Sequence, residues 1–344
     1  MKPIGRQRRN PWKGMNGYMA KTAVEEARRL SIRRKRAAKL KNPYTYQKLL
    51  SAIFRYGILI GLAFVIIFPF ISNICVVFMS ESDLYDTMVR YIPKSPTLDN
   101  ITFMIEKTNY FQVLLNTLFL SVLCGLLQMF FCSMVGYGLA AFRFKGRGIV
   151  FVLVLVTMLI PTSTILPAMY QSFRNFDIFG LFQLLMGKPI RLVDSIWAMV
   201  VLSVTCLALK NGLYVFVFRQ FYRNVPEELS EAAKVDGAGP LRIYFRIVWP
   251  MAGNICLTVF LLSFAWQWTD TVYSTMFFQN KFTVLANIAT TASNLVSDGI
   301  NPHSVMASAM TNTALFLIIM PLIIFFLFAQ RFLVQGVERS GLVG

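Results

Sequence analysis

Charged, metal-binding and nucleophilic motifs are scarce in this sequence of 344 residues. It has 16 acidic residues, one histidine (His303), and five cysteines without a CxxC pair. A nucleotide-binding loop would need Gly-Lys-Ser/Thr, but Pro189 follows the one Gly-Lys pair. His-Glu-x-x-His and Gly-x-Ser-x-Gly are also missing. We therefore expect no enzyme activity, disulfide framework or metal site, and no cofactor bound by this chain.

Long apolar runs dominate the chain instead, and hydrophobic residues make up 56% of it. A soluble domain of this length rarely combines such apolarity with so few charges. Because a helix needs about 20 apolar residues to cross the hydrocarbon core of a bilayer, six runs are predicted to span a membrane. They are Ile58–Phe78, Leu114–Ala141, Ile149–Pro167, Ile196–Phe218, Ile255–Trp268 with a continuation to Phe278, and Val305–Phe328. The first run is too long for the core of a signal peptide and is expected to remain as an anchor.

Basic residues are distributed unevenly among the segments between these runs. Lys and Arg close to a span stay preferentially on the cytoplasmic side. Of the 34 basic residues, 26 lie in the N-terminal tail, Phe142–Gly148, Arg219–Asn254 and the C-terminal end. The other three connections hold 7. The sequence predicts an all-α integral membrane protein with six transmembrane helices and both termini in the cytoplasm.

The N-terminal tail, residues 1–54, is predicted to be a basic cytoplasmic region outside a membrane domain of residues 55–344. Its first 48 residues contain 15 Lys and Arg, opposed by Glu25 and Glu26. Near an anionic membrane surface each basic residue contributes about 1 kcal/mol of attraction. Lipid is therefore the expected partner, with residues 20–40 as a helix on the membrane. Nucleic acid is not expected, because the tail has few aromatic residues for base stacking.

The cytoplasmic connection Arg219–Asn254 contains two successive helix signatures. Pro226 suits a first helical turn, the acidic pair that follows it faces the positive end of the helix dipole, and Gly237 can adopt the left-handed conformation that ends a helix. A second helix is predicted to begin at Pro240 and to be closed by Pro250. The connection is therefore predicted to form a small cytoplasmic knob.

The first of these two helices has a surface suited to docking. Ala232 and Ala233 let a partner approach the backbone closely, Leu229 extends them into a narrow apolar strip, and Glu231 and Asp236 flank the strip with charge. From the residues alone, a docking role and an ordinary interfacial helix pair are both possible.

The order of residues in this connection resembles the EAA signature of permease subunits in ABC importers. Glu231-Ala232-Ala233 is followed after three residues by Gly237, after nine more by Ile247, and after two more by Pro250. Trp249 departs from the smaller aliphatic residue usual in that family, which puts the local packing in doubt. The resemblance implies a helix that seats in a groove of a cytoplasmic ATPase. The residues implied to couple the two proteins are Glu231, Ala232, Ala233, Asp236, Gly237, Ile247 and Pro250.

Other segments are similar to the sugar-transporting branch of that family, from about Tyr56 to the last residue. The segments are Pro96–Asn100, Asn116-Thr117, Ala140–Arg147, Phe218–Tyr222, Gln267–Asp270, Gln330–Phe332 with Gly336, and Ser340–Gly344. The resemblance implies a bacterial inner-membrane permease that moves a sugar or oligosaccharide inward by alternating access. It implies four kinds of partner: a second permease subunit in a heterodimer, two ATPase subunits that hold ATP and Mg²⁺, an external solute-binding protein, and membrane lipid.

Polar residues inside the apolar runs mark a possible substrate pathway, since they are costly in hydrocarbon unless they face a cavity or a partner. Helix–helix hydrogen bonding and interfacial anchoring are the alternative explanation for each of them. Lys210 has a further alternative, an ion pair with an acidic group of the sister subunit. The candidates are Lys210, Asn211, Gly212, Gln267, Trp268 and Asp270.

Three other functions are alternatives at this point. The first is an ABC permease for another solute, such as peptides or polyamines. The second is an ion-gradient transporter, which would be expected to have paired carboxylates or inverted repeats in its spans; neither is evident. The third is a membrane enzyme, for which the sequence offers no catalytic set of residues.

Overall fold

The structure is a computed structural model, and it describes residues 25–26, 29–30, 43–208, 210–278, 282–289, 292 and 305–341. Most of the predicted surface helix over residues 20–40 lies outside this part of the chain. Throughout the described ranges the regular elements are helices, and two isolated bridges are the only β pairing there. The all-α prediction is confirmed. The chain divides into two units, Met1–Ile71 and Ser72–Gly344.

From residue 43 onward, the described chain begins with α1 (Pro43–Val77), α2 (Glu81–Tyr85), α3 (Asp99–Lys107) and α4 (Tyr110–Ala141). Ser80 starts α2 by accepting a hydrogen bond from the N–H of Asp83 on its Oγ, which satisfies a backbone donor that the helix leaves free. In the loop after α2, Lys94 donates a 2.6 Å hydrogen bond to Asp86. This bond lowers the pKa of the Asp86 carboxyl and raises the pKa of Lys94 from their ordinary values.

The third predicted span is broken into two helices, α5 (Arg147–Leu159) and α6 (Thr162–Arg174), which are bent by 103°. Pro161 causes the break, because it has no N–H to continue the helix and it forces the preceding residue into an extended conformation. Ile160 has the φ of −72° and ψ of 121° that this steric rule requires. The predicted span over Ile149–Pro167 is therefore a bent pair of helices.

The fourth predicted span, Ile196–Phe218, is also discontinuous. After the short α7 (Leu181–Met186), the chain forms α8 (Trp197–Val204) and then α9 (Asn211–Arg223). Between them, Cys206 and Lys210 have positive φ values of 57° and 60°. Residues in the left-handed region cannot continue a right-handed helix, so the polypeptide leaves the helical path there.

The remaining helices are α10 (Glu227–Val235), α11 (Pro240–Met251), α12 (Gly253–Trp268), α13 (Val272–Phe277) and α14 (Val305–Gly341), with a 3₁₀ turn at Leu285–Asn287. Within α11, Tyr244–Val248 is π-helical. The chain bends by 78° between α11 and α12. α10 is the predicted first helix of the cytoplasmic connection, and it lies between the fourth and fifth predicted spans.

Three unbroken helices in the described chain are long and apolar enough to cross a membrane: Tyr46–Val77 of α1, α4, and Val305–Arg331 of α14. The number rises to five when each bent pair counts as one span. The chain is thus a multi-pass membrane protein. Six spans stay a prediction, since α8 and α9 are separated by a longer break.

The second predicted span, α4, lies at the centre of the larger unit and contacts α8, α9 and α12. Gly136 lets α4 and α9 approach closely, because a Cβ there would lie 2.6 Å from the Cβ of Phe218 and 3.0 Å from the backbone N of Arg219. By contrast, α5 buries no side chain, and its Leu159 is 80% exposed. Apolar side chains exposed in this way suit contact with lipid.

Candidate coupling surface and transport pathway

The first helix of the cytoplasmic connection, α10, begins at Glu227, one residue after Pro226. The sequence had suggested that this proline lies in the first turn of the helix. In the structure it precedes the helix. Glu227 and Glu228 occupy that turn and Lys234 the last one, and both placements are favoured by the helix dipole.

A Schellman motif ends α10, as expected from Gly237. This glycine has a φ of +78°. Its N–H donates to the carbonyl of Lys234 over 3.0 Å, and the N–H of Ala238 donates to the carbonyl of Ala233 over 2.9 Å. The two bonds satisfy carbonyls that the helix end leaves free, and they fix the direction in which the chain leaves α10.

The outer surface of α10 carries both charge and exposed apolar groups. Glu231, Ala232 and Asp236 are exposed, and Val235 is 88% exposed. Ala233 is buried in an apolar cluster with residues of α9 and α11, so it holds α10 against the larger unit and does not extend the outer apolar strip. The surface offered to a partner is thus one helix face with carboxylates beside small and apolar side chains.

The second helix of the connection, α11, runs past Pro250, which was predicted to close it. Pro250 is exposed and is the second residue of the short α-helical turn Trp249–Met251, which follows the π-helical segment. A missing N–H is tolerated at the start of such a turn. Ile247 is half-buried against the cluster that also holds Ala233. The ring of Trp249 lies 5.7 Å from that of Phe130 on α4, so this large residue, unusual at its position, packs inward.

The exposed guanidinium of Arg143, in the turn after α4, lies 3.6 Å from the carboxylate of Glu227. Exposed ion pairs of this kind contribute little to stability. The contact nevertheless places the short basic turn at 142–146 beside the start of α10.

The predicted pathway residues of the fourth span cluster at its break. Lys210 is exposed, and its Nζ lies 4.8 Å from the centre of the Trp266 ring, which is a cation–π distance. Asn211 is 1% exposed, and its amide has no hydrogen-bond partner within the described part of the chain. At Gly212 a Cβ would lie 2.9 Å from the carbonyl oxygen of Val154, so α5 and α9 touch through backbone here.

The predicted pathway residues at the end of α12 are buried inside the chain. Trp268 is 3% exposed and donates its indole N–H to the carbonyl of Ile318 over 3.0 Å. Asp270 starts α13 and accepts three backbone N–H groups and the Ser274 hydroxyl. Gln267 is also buried, and its Nε2 has no partner among the described residues. Trp268 thus bonds to another helix and Asp270 to the first turn of α13, and a pathway role for the six residues stays a prediction.

Pro321 in α14 has a consequence for the backbone that the sequence did not reveal. It has no N–H for the carbonyl of Leu317, four residues earlier. Tyr110 donates its hydroxyl to that carbonyl over 2.9 Å and so satisfies it. The carbonyl of Ile318, the next residue, accepts the indole N–H of Trp268.

Gln128 is a buried polar residue of α4 that sequence reasoning missed. Its side chain accepts a 2.8 Å hydrogen bond from Ser263 on α12 and lies 3.4 Å from Ser203 on α8. The signal was an amide in the middle of a long apolar run, a residue type that often connects helices in membranes. The contact joins the second, fourth and fifth predicted spans.

Metal-ligand geometry is not found in the described ranges, where no group of three or more His, Cys, Asp or Glu side chains could hold an ion. All five cysteines are free thiols. Cys132 on α4 and Cys206 in the break before α9 have their sulfur atoms 3.7 Å apart. This is another contact between α4 and the fourth predicted span.

The apolar helices characterise a multi-pass membrane protein, and an exposed two-helix connection lies between two of its predicted spans. The family model for "Binding-protein-dependent transport system inner membrane component" matches residues 132–339. That match covers more than half of the chain and includes all of α9 to α13. The chain belongs to this family.

Two curated relatives agree with this assignment. The chain is 28% identical over 288 residues to the arabinooligosaccharides transport system permease protein AraQ of Halalkalibacterium halodurans, covering 82% of this chain and 93% of the relative. It is 30% identical over 255 residues to AraQ of Bacillus subtilis, covering 73% of this chain and 81% of the relative. Both alignments extend over most of each protein.

A solved structure has the same fold. It is a bacterial ABC transporter involved in the import of the acidic polysaccharide alginate, and the TM-score is 0.62. The match covers 83% of this chain and 97% of that chain at 16% sequence identity. The helical arrangement described above is therefore that of an ABC importer permease.

Proposed function

We propose that this chain is a transmembrane subunit of an ATP-driven importer that moves a sugar or oligosaccharide into the cell. The observation that carries this proposal is α10, which presents Glu231 and Asp236 on an exposed face and ends at a glycine of positive φ. The same helix lies inside the region that matches the permease family. The sugar class is supported by the arabinooligosaccharide permeases to which the chain is similar.

The partners in this proposal follow from what the chain does not carry. Without a phosphate-binding loop in its sequence, the energy comes from two separate ATPase subunits, which bind ATP and Mg²⁺. α10 docks on one of them through Glu231, Ala232, Asp236 and Gly237, while Ala233, Ile247 and Pro250 shape its support. A second permease subunit completes a heterodimeric membrane core, and an external binding protein delivers the sugar.

The proposed orientation places both termini and α10 in the cytoplasm of a bacterium. The 26 to 7 division of basic residues supports it. The basic tail of residues 1–54 then faces the anionic inner surface of the membrane, where lipid attracts it.

The proposed mechanism is alternating access. Closure of the ATPase pair moves α10, and the displacement passes into α9 on one side and into α11 and α12 on the other. Lys210, Asn211 and Gly212 lie at the break that precedes α9, where a displaced helix changes what the chain exposes. Sugars offer apolar ring faces and hydroxyl rims, which suit an aromatic ring such as Trp266 beside an ammonium group.

Uptake by intact cells tests the proposal. In a strain that lacks this gene, plasmid-borne wild type should restore energy-dependent uptake of labelled arabino-oligosaccharides. Glu231→Arg should abolish it while leaving the amount of protein in the membrane unchanged, because only the docking surface is altered. Glu106→Arg is the matched control: it reverses an exposed carboxylate of α3, away from α10, and should transport normally.

Three results would contradict the proposal. Normal uptake by Glu231→Arg would remove the docking role of α10. Uptake of a labelled peptide or polyamine, but of no saccharide, would support the alternative solute class. Uptake driven by an ion gradient without the ATPase genes would make the chain a secondary transporter.

A further inference from the structure

Three buried hydroxyl groups meet where the connection Arg219–Asn254 packs against α4. Ser133 of α4 is in hydrogen-bond contact with the hydroxyl of Tyr222 at 2.5 Å and with the hydroxyl of Tyr244 at 3.0 Å. Tyr222 lies near the end of α9, shortly before α10, and Tyr244 lies in α11, shortly after it. The two chain segments that hold α10 are therefore both bonded to one serine.

The surroundings of this hydroxyl cluster are apolar and crowded. Ser133 is fully buried, and Tyr222 and Tyr244 are 6% and 1% exposed. The ring of Tyr137, one turn along α4, lies 5.7 Å from the ring of Tyr222 and 5.0 Å from that of Tyr244. Burying a hydroxyl group without a hydrogen-bond partner is unfavourable, so separating the three groups inside this cluster would cost free energy.

The backbone at Tyr244 departs from regular helix geometry. Tyr244 is the first residue of the π-helical segment, which ends at Val248. Single π turns inside α-helices are rare and occur frequently at functional positions. A second observation, independent of the hydrogen bonds, therefore points to the same place.

We propose that Ser133, Tyr222 and Tyr244 are positioning residues that carry the movement of α10 into α4. The inference rests on the proposed function and names the path by which its energy travels. When the ATPase pair displaces α10, Tyr222 and Tyr244 move with the segments on either side of it, and Ser133 ties both to α4. Gln128 on the same helix contacts Ser203 and Ser263, so α4 passes the displacement to α8 and α12.

The expected effect is on the efficiency of coupling. Removing the Tyr222 or Tyr244 hydroxyl leaves the ring and its packing in place but loses one bond to Ser133. Since a net hydrogen bond corresponds to about a fivefold change in an equilibrium, each variant should transport several times less sugar per ATP hydrolysed. The double variant leaves Ser133 with neither bond and should lose more than either single one.

The test uses the complete importer, purified from its native host with its partner subunits and reconstituted in liposomes with the binding protein. Sugar import and ATP hydrolysis are measured together for Tyr222→Phe, Tyr244→Phe, the double variant and Ser133→Ala. Tyr137→Phe is the matched control, because its ring belongs to the same aromatic group and no hydrogen bond of its hydroxyl occurs among the described residues. The import-to-hydrolysis ratio does not depend on how much complex folds.

The expected result is a roughly fivefold lower ratio in each single Tyr variant, with an unchanged ratio in Tyr137→Phe. A wild-type ratio in both single variants overturns the inference, and so does an equal loss in Tyr137→Phe. If the double variant or Ser133→Ala does not assemble, the two single Tyr→Phe variants decide the question, because each removes only one oxygen atom. Failure of the wild-type complex to import sugar would instead refute the proposed function, so the two failures are distinguishable.

Discussion

At the scale of single residues, the left-handed conformation of Gly237 determines where α10 ends and which way its face points. For a residue with a side chain this conformation costs roughly 1–2 kcal/mol, and a β-branched residue is especially unfavourable there. No atom would lie within 4 Å of an added Cβ. The constraint is therefore conformational and not steric, so the helix end should shift while the rest of the fold persists.

Substituting Gly237→Val should thus preserve insertion into the membrane and remove most ATP-coupled uptake. Gly239→Val is the control, because Gly239 also has open space around it but has a φ of −72°, which valine tolerates. Uptake and membrane protein are measured for both. Equal uptake by the two variants would show that the Schellman end of α10 has no role in coupling.

Sequence reasoning worked for residues whose chemistry is local and failed for those whose role depends on a distant neighbour. The glycine end of α10 and its acidic first turn were predicted because capping depends on residues within one turn. The inward direction of Ala233 was not, since the cluster that buries it comes from α9 and α11. Trp268 was considered as an aromatic ring beside polar side chains or as an interfacial anchor, whereas its indole N–H bonds to a backbone carbonyl of α14.

At the scale of helices, the backbones of α4 and α9 approach each other closely just before the connection Arg219–Asn254. The backbones meet at Gly136, where an added Cβ would overlap the Cβ of Phe218. Gly138, half a turn further along the same helix, has nothing within 4 Å of such an atom. Comparing Gly136 with Gly138 therefore separates the effect of the close helix contact from the general effect of replacing a glycine inside a helix.

Gly136→Ala should destabilise the protein by roughly 1–3 kcal/mol, the usual range for overpacking a filled contact. Gly138→Ala should be neutral or slightly stabilising, because alanine favours helix by about 1 kcal/mol over glycine. Thermal unfolding in detergent, followed by loss of the monodisperse peak, gives the Tm of each. A Tm for Gly136→Ala that matches that of Gly138→Ala would mean that α4 and α9 are not in close contact.

The helices also show what a pattern of apolar runs leaves open. Hydropathy located the runs but did not show where the helix within a run is interrupted. The break at Pro161 follows from a residue visible in the sequence. The break before α9 occurs where Cys206 and Lys210 have positive φ values, and neither residue type is typical of a turn. Such a break depends on surrounding helices, so a single sequence does not encode it in a recognisable form.

At the scale of the whole molecule, α10 is the exposed surface in the described part of the chain that the proposed function assigns to a partner protein. The apolar faces of α1, α4 and α14 suit lipid, and the basic tail suits an anionic membrane surface. α10 suits neither, since its exposed carboxylates would be repelled from that surface while its small and apolar side chains remain uncovered. The proposed function makes an ATPase subunit the partner of α10, in agreement with the family to which the chain belongs.

Purification of the tagged chain from membranes of its own bacterium, with the bound proteins identified and their ATPase activity measured, tests this claim most directly. The account predicts a second permease and two ATPase subunits per complex. It also predicts that Glu231→Arg releases the ATPase subunits while the second permease stays bound. A folded, membrane-inserted wild-type chain that binds no nucleotide-hydrolysing protein would contradict it.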